Sequence, residues 1–226
     1  MLDKEHLRKN LDALIWNIEE ARIAVSEHHI VKLVTVGKYT ELKNIETLYT
    51  LGQRAFGENQ VQQLQTRSQE LRDLPIEWHF IGTLQKNKIN KLIETKPALM
   101  QSLDSVELAL ALDSRLAAKE SSMPCLLQIN SAKEQTKSGV SAEQAKDIYQ
   151  EIQSRCPNIQ LKGVMSIGAH TKDRAMVQES FEATYGVFDT LRSDGATICS
   201  MGMSGDYKLA IACGSNLIRV GSALFQ

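Results

Sequence analysis

Val31-Lys32-Leu33-Val34-Thr35-Val36-Gly37-Lys38-Tyr39-Thr40 is an apolar, β-branched run that ends in a glycine and then a lysine. Such a run reads as a strand buried on both faces, as strands are in a parallel sheet covered by helices. Lys38 stands where that strand runs out. A lysine amine becomes a Schiff-base nucleophile once its proton is easily lost, and an apolar surrounding lowers its pKa to that end. The plainer reading of the same stretch is a solvated lysine in a strand-to-helix loop. Gly37 lets a backbone or ligand approach closely.

Working outward, residues 4–27 carry Leu7, Leu11, Leu14, Ile18, Ala21 and Val25 at helical spacing, a single apolar stripe that predicts a long helix ahead of the first strand. After the first strand, helices and strands alternate. A helix over Glu41–Leu51 leads to a second strand at Arg54–Gly57, and a helix from Val61 to about residue 73 is stopped by Pro75. A third strand at Glu77–Ile81 is followed by a helix over Leu84–Thr95, and a fourth strand spans Ala98–Ser102. Asp104 with Glu107 resembles a capping box opening a helix to Lys119, and Ser141 with Gln144 resembles another opening a helix to Arg155. Between them lies a fifth strand, Pro124–Asn130. A sixth at Leu161–Ser166, a seventh at Ala196–Ser200 and an eighth at Leu217–Val220 complete the series, parted by a helix marked by Val177, Phe181, Thr184, Phe188 and Leu191 and a short one over Asp206–Ala212.

Eight strands separated by helical stretches argue for an α/β fold, a single (β/α)8 TIM-type barrel with an extra N-terminal helix; an open doubly wound sheet is the alternative. Right-handed crossovers leave few topologies. The 226 residues suit one such barrel, and the expected organisation is one domain over 1–226, with 1–29 as a helix packed on it. The formal charge of -1, from 26 basic and 27 acidic residues, gives no sign of a nucleic-acid or membrane surface. Met1–Asn10 is charged and lacks the apolar core of a signal peptide, and no run is long enough to cross a bilayer. Cys125, Cys156, Cys199 and Cys213 have neither metal-ligand nor redox-pair spacing, so reduced thiols and a cytoplasmic location are expected.

In such a barrel the active site lies at the carboxyl ends of the strands. Lys38, Glu58 with Asn59, Gly82, Asp104, Asn130, and Met165 with Ser166 stand there, followed by Ser200-Met201-Gly202-Met203-Ser204-Gly205-Asp206 and Arg219-Val220-Gly221-Ser222. His79 lies inside the third strand, where a satisfied core histidine is the plainer reading. The glycine- and serine-bearing loops after strands seven and eight are anion seats by their backbone N–H groups; tight-turn glycines are the alternative. Two such loops beside an amine suit a phosphorylated aldehyde or ketone. Asn59 is also a candidate helix cap, and Met201 and Met203 read as packing.

At this point the chain resembles the pyridoxal phosphate homeostasis proteins, single-domain barrels similar to the barrel half of alanine racemase. The resemblance rests on Val36-Gly37-Lys38, Phe56-Gly57-Glu58-Asn59, Trp78-His79-Phe80-Ile81-Gly82, Leu84-Gln85-Lys86-Asn87-Lys88, Gly163-Val164-Met165, the loop Ser200–Asp206 and Ile218-Arg219-Val220-Gly221-Ser222. It implies pyridoxal 5′-phosphate held as a Schiff base to Lys38, its phosphate on Ser204, Gly221 and Ser222. It also implies Arg219 at the pyridine nitrogen, and Asn59, His79, Met165 and Ser200 along the ring, with Met201 counted among the cofactor-binding residues. An arginine there disfavours a protonated ring and weakens it as an electron sink. Two positions depart from the family pattern. Gly37 stands where a serine usually precedes the lysine, and Thr83 where a basic residue usually follows Gly82.

Two functions of different class follow. One is a carrier of the cofactor in intracellular pyridoxal phosphate homeostasis, with no dedicated reaction, a monomer whose partners are the cofactor and apo pyridoxal enzymes. The other is a pyridoxal-dependent racemase or decarboxylase. A two-base racemase needs acid–base groups on both faces of its substrate, and the barrel uses the whole chain, which favours the carrier. A class I aldolase acting through Lys38 without a cofactor shares the amine and the phosphate seat.

Overall fold

The structure is a computed structural model and describes residues 3–38, 40–132, 134 and 138–225; the ends of the expected 1–226 domain, Met1, Leu2 and Gln226, lie outside these. Among the described residues, β1 (Lys32–Val36), β2 (Ala55–Glu58), β3 (Glu77–Phe80), β4 (Leu99–Leu103), β5 (Met123–Ile129), β6 (Ile159–Ser166), β7 (Ile198–Ser200) and β8 (Leu217–Val220) close a barrel in chain order. All the pairings are parallel, and β8 meets β1 in register from Lys32↔Leu217 to Thr35↔Val220. The closed barrel, not the open sheet, is therefore the fold.

Both faces of this sheet are covered, which is why its strands read as continuous apolar runs; every residue of β4 is buried. On the outside, an extended core lies between the strands and the helices α2 (Leu42–Thr50), α3 (Val61–Glu70), α4 (Ile89–Thr95), α5 (Val106–Ala117), α6 (Ala145–Arg155), α7 (Arg174–Leu191), α8 (Tyr207–Ala212) and α9 (Ser222–Phe225). Inside the barrel a separate, smaller group packs together: Val34, Ala55, Leu99, Leu126, Met165 and Leu217. Cys125 and Cys199 are buried.

Some local expectations change. The third crossover is not one helix over 84–95; a 3-10 turn, Lys86–Lys88, precedes α4. Asp104 does not cap α5. The helix begins at Val106 and Ser105 is the cap, its Oγ accepting from Leu108 N at 3.2 Å, because a hydroxyl one residue later is the one within reach of the third helical N–H. Ser141 Oγ does accept from Gln144 N at 3.3 Å, but this closes a turn ahead of α6, which starts at Ala145.

The N-terminal helix α1 (Lys4–Val25) buries Leu7, Leu11, Leu14 and Ile18 against α8, α9 and α2, the elements flanking the β8–β1 closure. Asn10 Nδ2 donates to Leu224 O at 3.1 Å and Lys208 Nζ to Asn17 Oδ1 at 2.7 Å, tying α1 to the last two helices. Leu11 is 2% exposed whereas Trp16, on the opposite face, is 74% exposed. Leu11→Ala should therefore cost about 2–4 kcal/mol through lost burial and the cavity left behind. Trp16→Ala should stay within about 0.5 kcal/mol. Urea unfolding followed by circular dichroism checks this; equal losses for the two would mean that α1 does not pack through its leucine face.

Candidate functional site

The carboxyl rim of the barrel carries the reactive groups. Lys38 stands in the turn after β1 and is exposed, not enclosed in the apolar surrounding that would lower its pKa. Asn59, half-buried after β2, does not cap α3; Gln60 holds the cap position, with no side-chain hydrogen bond. The loops after β7 and β8 meet each other. Ser204 Oγ accepts from Gly221 N at 3.3 Å and from Ala223 N at 3.5 Å, so one hydroxyl gathers backbone donors from the start of the last helix. Ser222 is exposed beside them. Gly202 shapes the loop: its φ is +95°, and an added Cβ would lie 2.7 Å from that of Ala210.

Met201 and Met203 part company. Met201 lies fully buried in the outer core, its N–H bonded to Leu217 O at 3.1 Å, so its side chain packs and is not brought to the rim. Met203 does not pack as expected. It is 39% exposed and, with Ile167, Gly168, Ser204 and Asp206, lines a cavity of about 1310 Å³ beside the Ser204 seat. An alternating strand pattern cannot foresee this, because Met203 lies beyond the strand's end, in the loop.

Below the rim the barrel interior holds a connected polar chain. Arg219, 4% exposed, points its guanidinium at Ser200 Oγ with one nitrogen and at Ser166 O, 2.8 Å away, with the other. Ser200 Oγ donates to Gln101 Oε1 at 2.7 Å. Gln101 Nε2 donates to His79 Nδ1 at 2.9 Å, and His79 Nε2 donates to Glu77 Oε1 at 3.0 Å. Lys32 Nζ, at the opposite mouth, also reaches Glu77 Oε1. Each hydroxyl, amide and ring nitrogen has one consistent donor or acceptor role, which assigns His79 as the neutral tautomer protonated on Nε2. Ser166 Oγ in turn accepts from Thr184 Oγ1 at 2.8 Å. His79, Ser200 and Arg219 are thus linked by Gln101, and Met165 lies in the inner apolar group beside them.

Gln101 and Glu77 are the residues that pattern reading passed over. Both carried a signal: Gln101 has the parity of the inward Leu99, and Glu77 that of His79, so each is a polar residue at an interior position of its strand.

The electrostatics follow the chain. Burial lowers the Arg219 guanidinium to about 10, which leaves it charged at neutral pH. The hydrogen bond from His79, with smaller help from Lys32, holds the Glu77 carboxyl at about 2 against a burial effect that raises it. Burial lowers His79 below its ordinary 6.5 and outweighs the pull of Glu77. A neutral imidazole that donates its N–H satisfies both shifts.

An exposed amine at the rim, backbone N–H groups gathered at Ser204 and a buried cation below them are of the chemical kinds that could hold a phosphorylated pyridine aldehyde, so these residues fit that group. Among the described residues no cluster of His, Cys, Asp or Glu could hold a metal ion, and no helix is long and apolar enough to cross a membrane.

Comparison with known proteins agrees with this geometry. Residues 9–226 match the family described as alanine racemase, N-terminal domain. A pyridoxal phosphate homeostasis protein of Helicobacter pylori is 51% identical over 219 residues, covering 97% of this chain and 98% of that protein. The chain belongs to the pyridoxal phosphate homeostasis family. The family spans wide distances: its Caenorhabditis elegans member is 33% identical over 98% of this chain and 96% of its own length. PipY of Synechococcus elongatus, solved with pyridoxal phosphate bound, superposes with a TM-score of 0.82 at 31% identity, covering 97% of this chain and all of that one. Alanine racemase of Corynebacterium glutamicum shares the fold, with a TM-score of 0.73 at 16% identity, this chain covering 61% of it.

The polar chain has a pH consequence. In the folded chain Glu77 and His79 hold protons less readily than in the unfolded chain, so as pH falls the unfolded state takes them up first and stability drops. For Glu77 the contribution is present above its ordinary 4.5 and is lost as pH falls from there toward about 2. Glu77→Gln should therefore reduce proton uptake on unfolding in that window by up to about one proton. Denaturant melts across pH measure it; an acid limb identical to that of the parent chain would mean that Glu77 is not held ionised by His79.

Proposed function

We propose that this protein binds pyridoxal 5′-phosphate as a Schiff base to Lys38 and carries it in the cytoplasm as a monomeric, single-domain (1–226) component of cofactor homeostasis, without a dedicated reaction. The amine of Lys38 condenses with the aldehyde and releases one water; the reverse reaction, or exchange with another amine, frees the cofactor for an apo pyridoxal enzyme. Ser204, Gly221 and Ser222 hold the phosphate. Asn59, His79, Met165 and Ser200 line the ring. In enzymes the bound cofactor supplies an electron sink, and a protonated ring nitrogen strengthens it.

The observation that carries the reading is the fixing of Arg219. Its guanidinium is buried, charged and held by Ser200 and Ser166 O, so it cannot swing away from the mouth of the barrel without leaving a buried cation unpaired. A second positive charge beside it is disfavoured, so the ring nitrogen stays unprotonated and carbanion chemistry is poor. The names of the curated relatives and the cofactor bound in PipY support the ligand. The chain also matches those relatives over nearly their whole length.

The experiment loads the protein with the cofactor and divides it. One half is reduced with borohydride and peptide-mapped, with the adduct expected on Lys38. The other half is mixed with an apo pyridoxal enzyme, whose activity should return with wild type and not with Lys38→Ala, while a panel of L-amino acids is followed for racemisation and decarboxylation. An adduct on another lysine such as Lys86 would displace Lys38. Lys38-dependent turnover of an amino acid well above that of free cofactor would replace the carrier with an enzyme.

A further inference from the structure

The turn that presents Lys38 is gripped from outside the barrel by α3. Arg67 Nη1 donates to Gly37 O at 2.7 Å, and Arg67 Nη2 donates to Thr40 O. One helical turn earlier, Gln63 Nε2 donates to Lys38 O at 3.3 Å. Residues four apart share a helix face, so Gln63 and Arg67 together hold three carbonyls within a four-residue stretch. Arg67 is in turn paired with Glu58 Oε1 at the end of β2; both side chains are buried, and Glu58 Oε2 is without a hydrogen-bond partner. Within the turn Thr40 N donates to Gly37 O at 2.9 Å, and Asn44 Nδ2 donates to Thr40 Oγ1 at 2.8 Å.

Gly37 is shaped by the same pair. A Cβ added at Gly37 would lie 2.7 Å from Glu58 Oε1 and 2.9 Å from Arg67 Nη1. The carboxylate and guanidinium therefore occupy the space that a side chain before the lysine would need. A buried ion pair adds little net stability once its desolvation is counted. The specific product of this one is the geometry of the carbonyls it holds.

We infer that Arg67, braced by Glu58 and admitted by Gly37, is a positioning residue that fixes the turn from which Lys38 reaches the cofactor aldehyde. The inference rests on Lys38 being the Schiff-base lysine. It acts through the backbone: the guanidinium holds the carbonyls of Gly37 and Thr40 on either side of Lys38.

The test compares wild type, Arg67→Met with Glu58→Met, Arg67→Lys, and Gly37→Ser. The paired methionine variant removes both buried charges together, and Arg67→Lys keeps the charge with a single nitrogen. Two readouts are taken on each folded chain. The first, without cofactor, is amide hydrogen exchange of the peptide spanning residues 36–41. The second is the rate of Schiff-base formation with pyridoxal phosphate, set against affinity for pyridoxine 5′-phosphate, which has no aldehyde. The paired variant should loosen the turn and slow Schiff-base formation by on the order of tenfold to a hundredfold, the scale of a small misplacement of a reacting group. Its affinity for pyridoxine phosphate should stay within about twofold, since that is well under the 1.4 kcal/mol of a decade. Gly37→Ser should move both readouts in the same direction, and Arg67→Lys should recover part of each. Unchanged exchange and rate in the paired variant, or in Gly37→Ser if the paired variant does not fold, overturn the inference. A parallel loss of pyridoxine phosphate affinity overturns it too, since that marks collapse of the whole site. A loosened turn in a protein whose wild-type form traps the cofactor on another lysine leaves the grip standing and removes Lys38 from the chemistry.

Discussion

A guanidinium inside a barrel cannot be left without partners, and much of the interior is arranged around that requirement. Arg219 is buried and charged, and the cost of taking a cation out of water is offset only by close acceptors. Ser166 O and Ser200 Oγ meet it directly. Ser200 can accept because its own proton goes to Gln101, Gln101 can accept because its amide donates to His79, and His79 donates to Glu77. The chain thus runs from a cation at the carboxyl mouth to a carboxylate at the amino mouth, where Lys32 also reaches Glu77. Its donors all point one way, so altering any one member forces its neighbours to choose new roles.

The same arrangement explains which parts of the protein were legible in the sequence. Strands buried on both faces leave long apolar runs, so the sequence pattern places all eight to within about two residues at their ends, the usual scatter of such boundaries. The rim residues were legible because they follow the strands directly: Lys38 after β1, the loop bearing Ser204 after β7, Arg219 near the end of β8. What stayed hidden depends on partners distant in the chain. Gln101 looks like one of two polar residues in an otherwise apolar strand until His79 and Ser200 are placed on either side of it. Arg67 reads as part of the polar face of a helix, yet it is 7% exposed and turns inward to the Lys38 turn. Ser105 rather than Asp104 caps α5 because cap choice turns on one residue of phase, below the resolution of a capping-box pattern. Gly37 gains a physical reason only from the Glu58–Arg67 pair packed against it.

The barrel fixes the cation at its mouth, α3 holds the lysine turn, and the loops after β7 and β8 pool backbone donors around Ser204. Under the proposed function, that combination would capture an aldehyde covalently and an anion electrostatically, as reversible storage and delivery require. On the proposed placement, a fixed positive charge beside the pyridine nitrogen would work against its protonation and so weaken electron withdrawal by the ring.

The charge state of the ring nitrogen beside Arg219 therefore decides between carrier and enzyme. The direct measurement is the ¹⁵N chemical shift of ring-labelled pyridoxal phosphate bound to the wild-type protein, recorded across neutral pH. An unprotonated pyridine nitrogen throughout, becoming protonated when Arg219→Glu is substituted in a chain that remains folded, is the predicted result. A protonated nitrogen in the wild type would contradict the account, because the guanidinium could not then be facing it.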